Sequence, residues 1–313
     1  MKKILGAMLL AALALSGCIK SENPYAKYKP VAGGMQIFSV AYTQFDVAIQ
    51  PANAAMRLAI LLAEADKQAE TSDETVDFSK ITHDGKNVMA SLFGSYAKIE
   101  KDSGNTGDYR ITYSTDVMLF GYYYKGSMIV KTGNVPLSET NSETAWTVEY
   151  DDFKVLSSGG YTVTVKFNGG ETTLYANGDA SFTVKQDNMD LNYEGSEAHS
   201  NWSGSFRMRP EANGIAYSEC TGKDFSVNGS FSGPTFTSLM KNNEPTRVSY
   251  TVSNGKYKLY GKVFTGTLFC HLTGYGDYNP ADFPSTEVEY IYSYDEARGV
   301  SQTIKYNGNI VTD

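Results

Sequence analysis

The chain has few of the residues on which metal and nucleophilic chemistry depend. Its three histidines, His83, His199 and His271, stand far apart with no paired spacing, so no zinc-type ligand set is legible. Its cysteines are only three, Cys18, Cys220 and Cys270. No Gly-x-Ser-x-Gly elbow occurs. The nearest stretch, Gly229-Ser-Phe-Ser-Gly233, has Phe231 at its centre, where an elbow needs its nucleophile. Positive charge is also scarce: 27 basic against 35 acidic residues give a net charge of −8, which disfavours nucleic acid and anionic lipid surfaces as partners. Beyond the N-terminus there is no long apolar run and hence no expected membrane-spanning helix.

The remaining chemistry-bearing residues read as turns. His83 lies in Thr-His-Asp-Gly-Lys-Asn, a turn by composition. Asp102-Ser-Gly-Asn-Thr-Gly-Asp108 has Gly104 and Thr106 where a calcium loop needs carboxylate or amide oxygens, so a hairpin connection fits it better. Asp151-Asp152 reads as solvated turn carboxylates beside a strand. Asp152, His199 and Ser230 can be ordered into a triad on paper, but no local motif supports one. No metal, cofactor or catalytic residue is expected, and an enzymatic role is unsupported.

What the chain does have is tyrosine (23), phenylalanine (15) and glycine (29), within a 41% hydrophobic composition. That balance favours β-structure with enough apolar mass for a core. A strand pair built around two glycines occurs twice, as Val117–Lys131 with Gly121 and Gly126, and as Tyr257–His271 with Gly261 and Gly266. The shift is 261 − 121 = 140 and 266 − 126 = 140. Val148-Glu149-Tyr150 recurs as Val288-Glu289-Tyr290 at 140. Thr164–Gly169 recurs as Thr303–Gly308 at 139, and Phe78–Thr82 resembles Tyr217–Thr221 at 139. This reads as an internal duplication. Asn-Gly steps at Asn168, Asn177, Asn213, Asn228, Asn254 and Asn307 are the residues that two-residue hairpins require.

One helix stands out, over 52–69. Pro51 suits its first turn, and Ala, Met, Leu and Glu are good helix formers. Met56, Ala59, Ile60 and Ala63 form one stripe, while Leu58, Leu61 and Leu62 put apolar groups on the other side. Such a helix is expected to be buried. The fold expected is therefore mainly β: two related antiparallel sandwich- or barrel-like units with one buried helix near the N-terminus. The alternative is one large open antiparallel sheet around the helix. The expected division is 1–17 signal peptide, 18–34 lipidated tether, 35–185 first unit with a strand at 35–42, and 186–313 second unit.

At the N-terminus, Lys2 and Lys3 precede the apolar stretch Ile4–Ala14 and then Leu15-Ser16-Gly17-Cys18. This resembles the bacterial lipobox at all four positions. The resemblance covers only this stretch, and it implies diacylglyceryl transfer to the Cys18 sulfur, cleavage before Cys18 and acylation of the new amino group. More than one acyl chain gives stable membrane anchoring. Loss of Lys2 and Lys3 would leave 25 − 35 = −10. Aspartate, the inner-membrane retention residue of lipoprotein sorting, does not follow Cys18, so the resemblance implies the outer membrane, on its periplasmic or cell-surface face. The tyrosine-rich body is similar in style to lipoproteins of the Bacteroidota.

Two further sets of residues carry expectations. Through the repeat, Cys220 and Cys270 fall on Ile81 and Val130, both core-type positions, so they read either as a disulfide or as two buried thiols. The strand Val117–Tyr124 is apolar or aromatic on both faces, so one face must be covered by the helix or must bind something. Tyr122 and Tyr124, with Tyr260 from the second copy, are the candidate platform for a flat ligand. Function is therefore read as an envelope-anchored binding module with glycans as the expected ligand, and a structural or assembly subunit of an envelope or fimbria-like complex is the competing class.

Overall fold

The computed structural model describes residues 47–69, 77–101, 107–119, 122–157, 163–193, 199–234, 247–258, 264–274, 287–295, 299–306 and 308–310. Cys18, the tether at 18–34, the strand expected at 35–42 and Tyr260 lie outside them. The chain is mainly β and antiparallel. A central helix, Gln50–Ala69, comes first, followed by a small hairpin of β1 (Thr82–His83) and β2 (Lys86–Asn87) and a short helix, Val88–Phe93. The rest is a meander: β3 (Ala97–Lys101), β4 (Asp108–Leu119), β5 (Tyr122–Lys131), β6 (Trp146–Ser157), β7 (Val163–Ala176), β8 (Phe182–Tyr193), β9 (His199–Pro210), β10 (Asp224–Pro234), β11 (Arg247–Lys258), β12 (Phe264–Gly274), β13 (Glu287–Asp295), β14 (Gly299–Tyr306) and β15 (Asn309–Ile310). A helical turn, Tyr217–Cys220, links β9 to β10.

These strands form one sheet of 13, each paired with its neighbour in sequence, from β3 at one edge to β15 at the other. The open sheet around a helix is thus the architecture, in place of two separate sandwich- or barrel-like units. The helix contacts β6 and β7 and the two short helices. Met56, Leu58, Ile60 and Leu61 are fully buried, and each such side chain contributes roughly 1.5–3 kcal/mol by leaving water.

One lateral row shows why a single sheet results. It runs Tyr109, Val130, Val148, Thr172, Gln186, Gly204, Phe231, Tyr250, Cys270, Val288 and Tyr306, each opposite the next. Residues directly opposite share a face, so Val130 and Cys270, equivalent in the repeat, point to the same side. Both are fully buried, as are Ile81 and Cys220. The repeat therefore preserves the inward phase. It does not preserve handedness. From β4 to β11 is seven strands, an odd number in an antiparallel meander, so the copies run in opposite directions. A rotation that reverses a strand while keeping the same face inward must also reverse the lateral order, and here that order is kept. The copies share a pattern and no symmetry axis.

Asn213-Gly214 lies in the connection from β9 to β10, and the other five Asn-Gly steps divide into two groups. Gly178 (φ 77°) and Gly308 (φ 75°) lie in the β7–β8 and β14–β15 turns. Asn168-Gly169, Asn228-Gly229 and Asn254-Gly255 instead sit inside β7, β10 and β11, where the register shifts. One class of bulge takes a residue at positive φ, as a tight turn does; Asn254 (φ 52°) in β11 and Gly170 (φ 87°) in β7 adopt it. The strands are consequently longer than turn spacing predicts. Gly126 (φ 81°) and Gly266 (φ 122°) mark matching irregularities in β5 and β12. A Cβ on Gly126 would overlap the Asp152 carbonyl oxygen, and one on Gly266 the Asn254 carbonyl.

Candidate functional site

The residues expected to face a ligand are in the core. Tyr122 is 6% exposed and Tyr124 is fully buried. Tyr124 stacks on Tyr113 at 5.1 Å between ring centroids, and its hydroxyl donates to Gln50 Oε1 of the central helix at 2.9 Å. The helix covers this face, so the tyrosine platform is corrected to a helix-packing surface. The disulfide is corrected as well: Cys220 and Cys270 are buried thiols not joined to each other, on elements that do not pair. Cys220 Sγ donates to the Gly214 carbonyl at 3.3 Å. Burial pushes its thiol up to about 12, and the nearby Glu219 carboxylate adds to the shift, so it is not a nucleophile.

The inner side holds a polar seam that the hydrophobic reading of the helix missed. Gln50, Asn53, Arg57 and Glu64 are all buried, and their spacing places them on one helix face. That spacing was the available signal. Asn53 Nδ2 donates to Gln50 Oε1 at 3.4 Å. Gln186 Nε2 donates to the Ala48 carbonyl and to Thr172 Oγ1, which lies 2.6 Å from the Tyr150 hydroxyl. Burial raises the Tyr113 phenol, with Arg57 partly offsetting it, and burial likewise raises Tyr150. At the far end of the helix, His83 Nδ1 lies 3.3 Å from Glu64 Oε1, and the His83 ring meets Tyr217 edge-on at 5.4 Å. The seam fixes the rotation of the helix in the sheet, since a turned helix would strand these groups without partners. Not every atom of the seam is matched: Glu64 Oε2, the Tyr113 hydroxyl and Gln186 Oε1 are buried with no hydrogen-bond partner among the described residues.

The outer face carries the remaining candidates, and it divides. Over β4 to β7 it is laced with ion pairs: Arg110 to Asp151 at 2.6 Å, Lys131 to Glu149 at 2.5 Å and Lys166 to Asp152 at 2.8 Å. The Lys166 hydrogen bond is the main reason the Asp152 carboxyl lies below its ordinary range, and Glu149 likewise raises Lys131. Over β10 to β12 the outward positions from Asn228 to Ser232, Ser249 to Ser253 and Thr265 to Phe269 carry no charge. There, Ser205, Ser230, Thr251, Phe269, Glu289 and Lys305 form one lateral row. Phe269 is 39% exposed and stands between Thr251 and Glu289. Glu289 is held by Lys305 at 3.3 Å. His271, one outward step along β12, lies 3.5 Å from Glu287, consistent with its expected solvent-facing position. The row combines hydroxyls, one carboxylate and one apolar ring on open sheet.

Among the described residues no group of three or more His, Cys, Asp or Glu side chains is placed to hold a metal, and no helix is long and apolar enough to cross a membrane. Comparison with known proteins returned no matching family, no matching curated protein and no matching solved structure.

Proposed function

We propose that the chain is a lipid-anchored outer-membrane protein that acts as a binding module for glycans, working from the outer face of its sheet. The observation that carries this reading is the contrast between the two sides. The inner face over β5 to β7 is packed by the protein's own helix, whereas the outward positions of β10 to β12 around Phe269 carry no charge and leave its ring exposed. Sugars are bound by an apolar ring against their C–H face with hydroxyl, amide and carboxylate groups around it. The lipobox at Cys18 supports the anchor. Expression of the full chain in a bacterium with labelled fatty acid should give a labelled, membrane-associated product. Cys18→Ala should give an unlabelled product released from the membrane, and persistence of the label would sink the anchor. Protease treatment of intact cells distinguishes the surface from the periplasmic face. The binding role is tested by retardation of the purified body in polysaccharide-containing native gels.

A structural or assembly role is the second reading, and the openness of the sheet favours it. At one end β15 spans two residues and pairs only with Lys305 and Tyr306 of β14. At the other, β3 is short and presents Lys98, Glu100 and Lys101, a pattern that discourages strand addition, so an incoming strand would pair along the β14 edge that β15 leaves uncovered among the described residues. Co-purification of a defined envelope protein, without glycan retardation, would select this reading.

A further inference from the structure

Resting on the binding-module reading, we infer that the Ser230–Thr251–Phe269–Glu289 row is a subsite for an uncharged, linear polysaccharide chain lying across the strands. Three observations converge on it. First, no outward residue of β10, β11 or β12 around the row is charged, although the chain as a whole carries −8. The carboxylate nearest the ring, Glu289, is engaged by Lys305. An acidic polymer would find no free cation at the ring to balance it, while a neutral one loses nothing by docking there.

Second, the repeat offers an internal control. In the first copy the same positions are Arg110, Ile129 and Glu149, because Arg110 opposes Ile129 as Thr251 opposes Phe269. Asp151, which pairs with Arg110, becomes Ile291, as the registers Ser127 to Asp151 and Thr267 to Ile291 show. The second copy therefore replaces an ion pair with Thr251 and Ile291 and an aliphatic side chain with an exposed ring. Neither change is required by the core, since all these positions face outward.

Third, the hydroxyls recur from strand to strand at about 4.8 Å, close to the rise of one sugar along an extended chain. Ser205, Ser230 and Thr251 are all exposed, so successive residues of such a chain meet successive hydroxyls and then the ring. Crossing the strands, rather than following one, is what gives each sugar a partner.

The test is affinity electrophoresis of the full folded body in gels containing mixed-linkage β-glucan, dextran or polygalacturonate. Retardation by at least one neutral polymer, and none by polygalacturonate, is expected. Phe269→Ala, at an exposed position where the fold tolerates truncation, should weaken retardation at least tenfold with an unchanged circular dichroism spectrum. The double change Thr251→Arg with Ile291→Asp should do the same by restoring the first-copy ion pair. Neutral-polymer binding undiminished in Phe269→Ala would overturn the subsite and leave the binding-module reading standing. Preference for polygalacturonate would overturn the ligand class. Retardation by none of the three polymers would overturn both the subsite and the reading on which it rests.

Discussion

Two rows of outward residues, Arg110–Ile129–Glu149 and Thr251–Phe269–Glu289, occupy equivalent places in a repeated sequence and have opposite characters. One is a water-facing ion-pair lattice, and the other keeps a single ion pair, Glu289 with Lys305, beside a hydroxyl and an exposed ring. Their inward neighbours, Val130 with Val148 and Cys270 with Val288, are all buried in one continuous core. The inner face tolerates only substitutions that keep the packed volume, so the two copies agree there. The outer face contributes little to stability, because exposed ion pairs are worth about 0–1 kcal/mol. It was therefore free to diverge, and its divergence carries information about use.

The largest effect should come from an inward residue. Tyr124→Ala removes a fully buried ring stacked on Tyr113 and should cost about 3–5 kcal/mol of unfolding free energy in urea titrations. A variant that stayed as stable as the parent and lost glycan binding would reverse the assignment of inner and outer faces. Next in size, Gly126→Ala and Gly266→Ala should each cost at least about 1–3 kcal/mol, since both force a side chain into the left-handed region against a neighbouring carbonyl. Equal losses would show that the two irregularities do the same job in both copies.

Smaller is the effect of Cys220. Its thiol is pushed up from 9.0 to about 12, so folding favours the protonated form. That contribution is fully present below about pH 9 and is lost as pH rises towards about 12. Stability of the parent should fall more steeply than that of Cys220→Ala over this window, as read from urea midpoints. Thiol reagents should label neither cysteine of the native body at neutral pH, and a band shift on reduction would contradict the unjoined thiols. The smallest effect belongs to the outer lattice. Arg110→Thr should change stability by less than about 1 kcal/mol, and a larger loss would mean that the first-copy lattice is structural after all.

Much of this was legible in the sequence because it depends on local period. The helix, the β class and the inward phase of Cys220 and Cys270 follow from spacing and from the repeat. The size of the sheet was not legible. Asn-Gly steps specify a positive φ, and a bulge satisfies that requirement as well as a turn, so Asn228 and Asn254 looked like strand ends while lying inside β10 and β11. Nor was the tyrosine placement settled by pattern. A strand apolar on both faces says that something covers it, and only the packing of Gln50 against the Tyr124 hydroxyl identifies the cover. Phe269 carries no signal in the sequence, because a single phenylalanine within a β-strand is common. Its exposure emerges only from the register with Thr251 and Glu289.

The odd count of strands between the copies bears on stoichiometry. A sugar chain is chiral, and a surface that grips it has one hand. Because the two copies present their equivalent residues with opposite hands, no set of substitutions that turned the first row into the second would create a second equivalent grip. The repeat multiplies strands without multiplying sites, and each chain should titrate with one ligand.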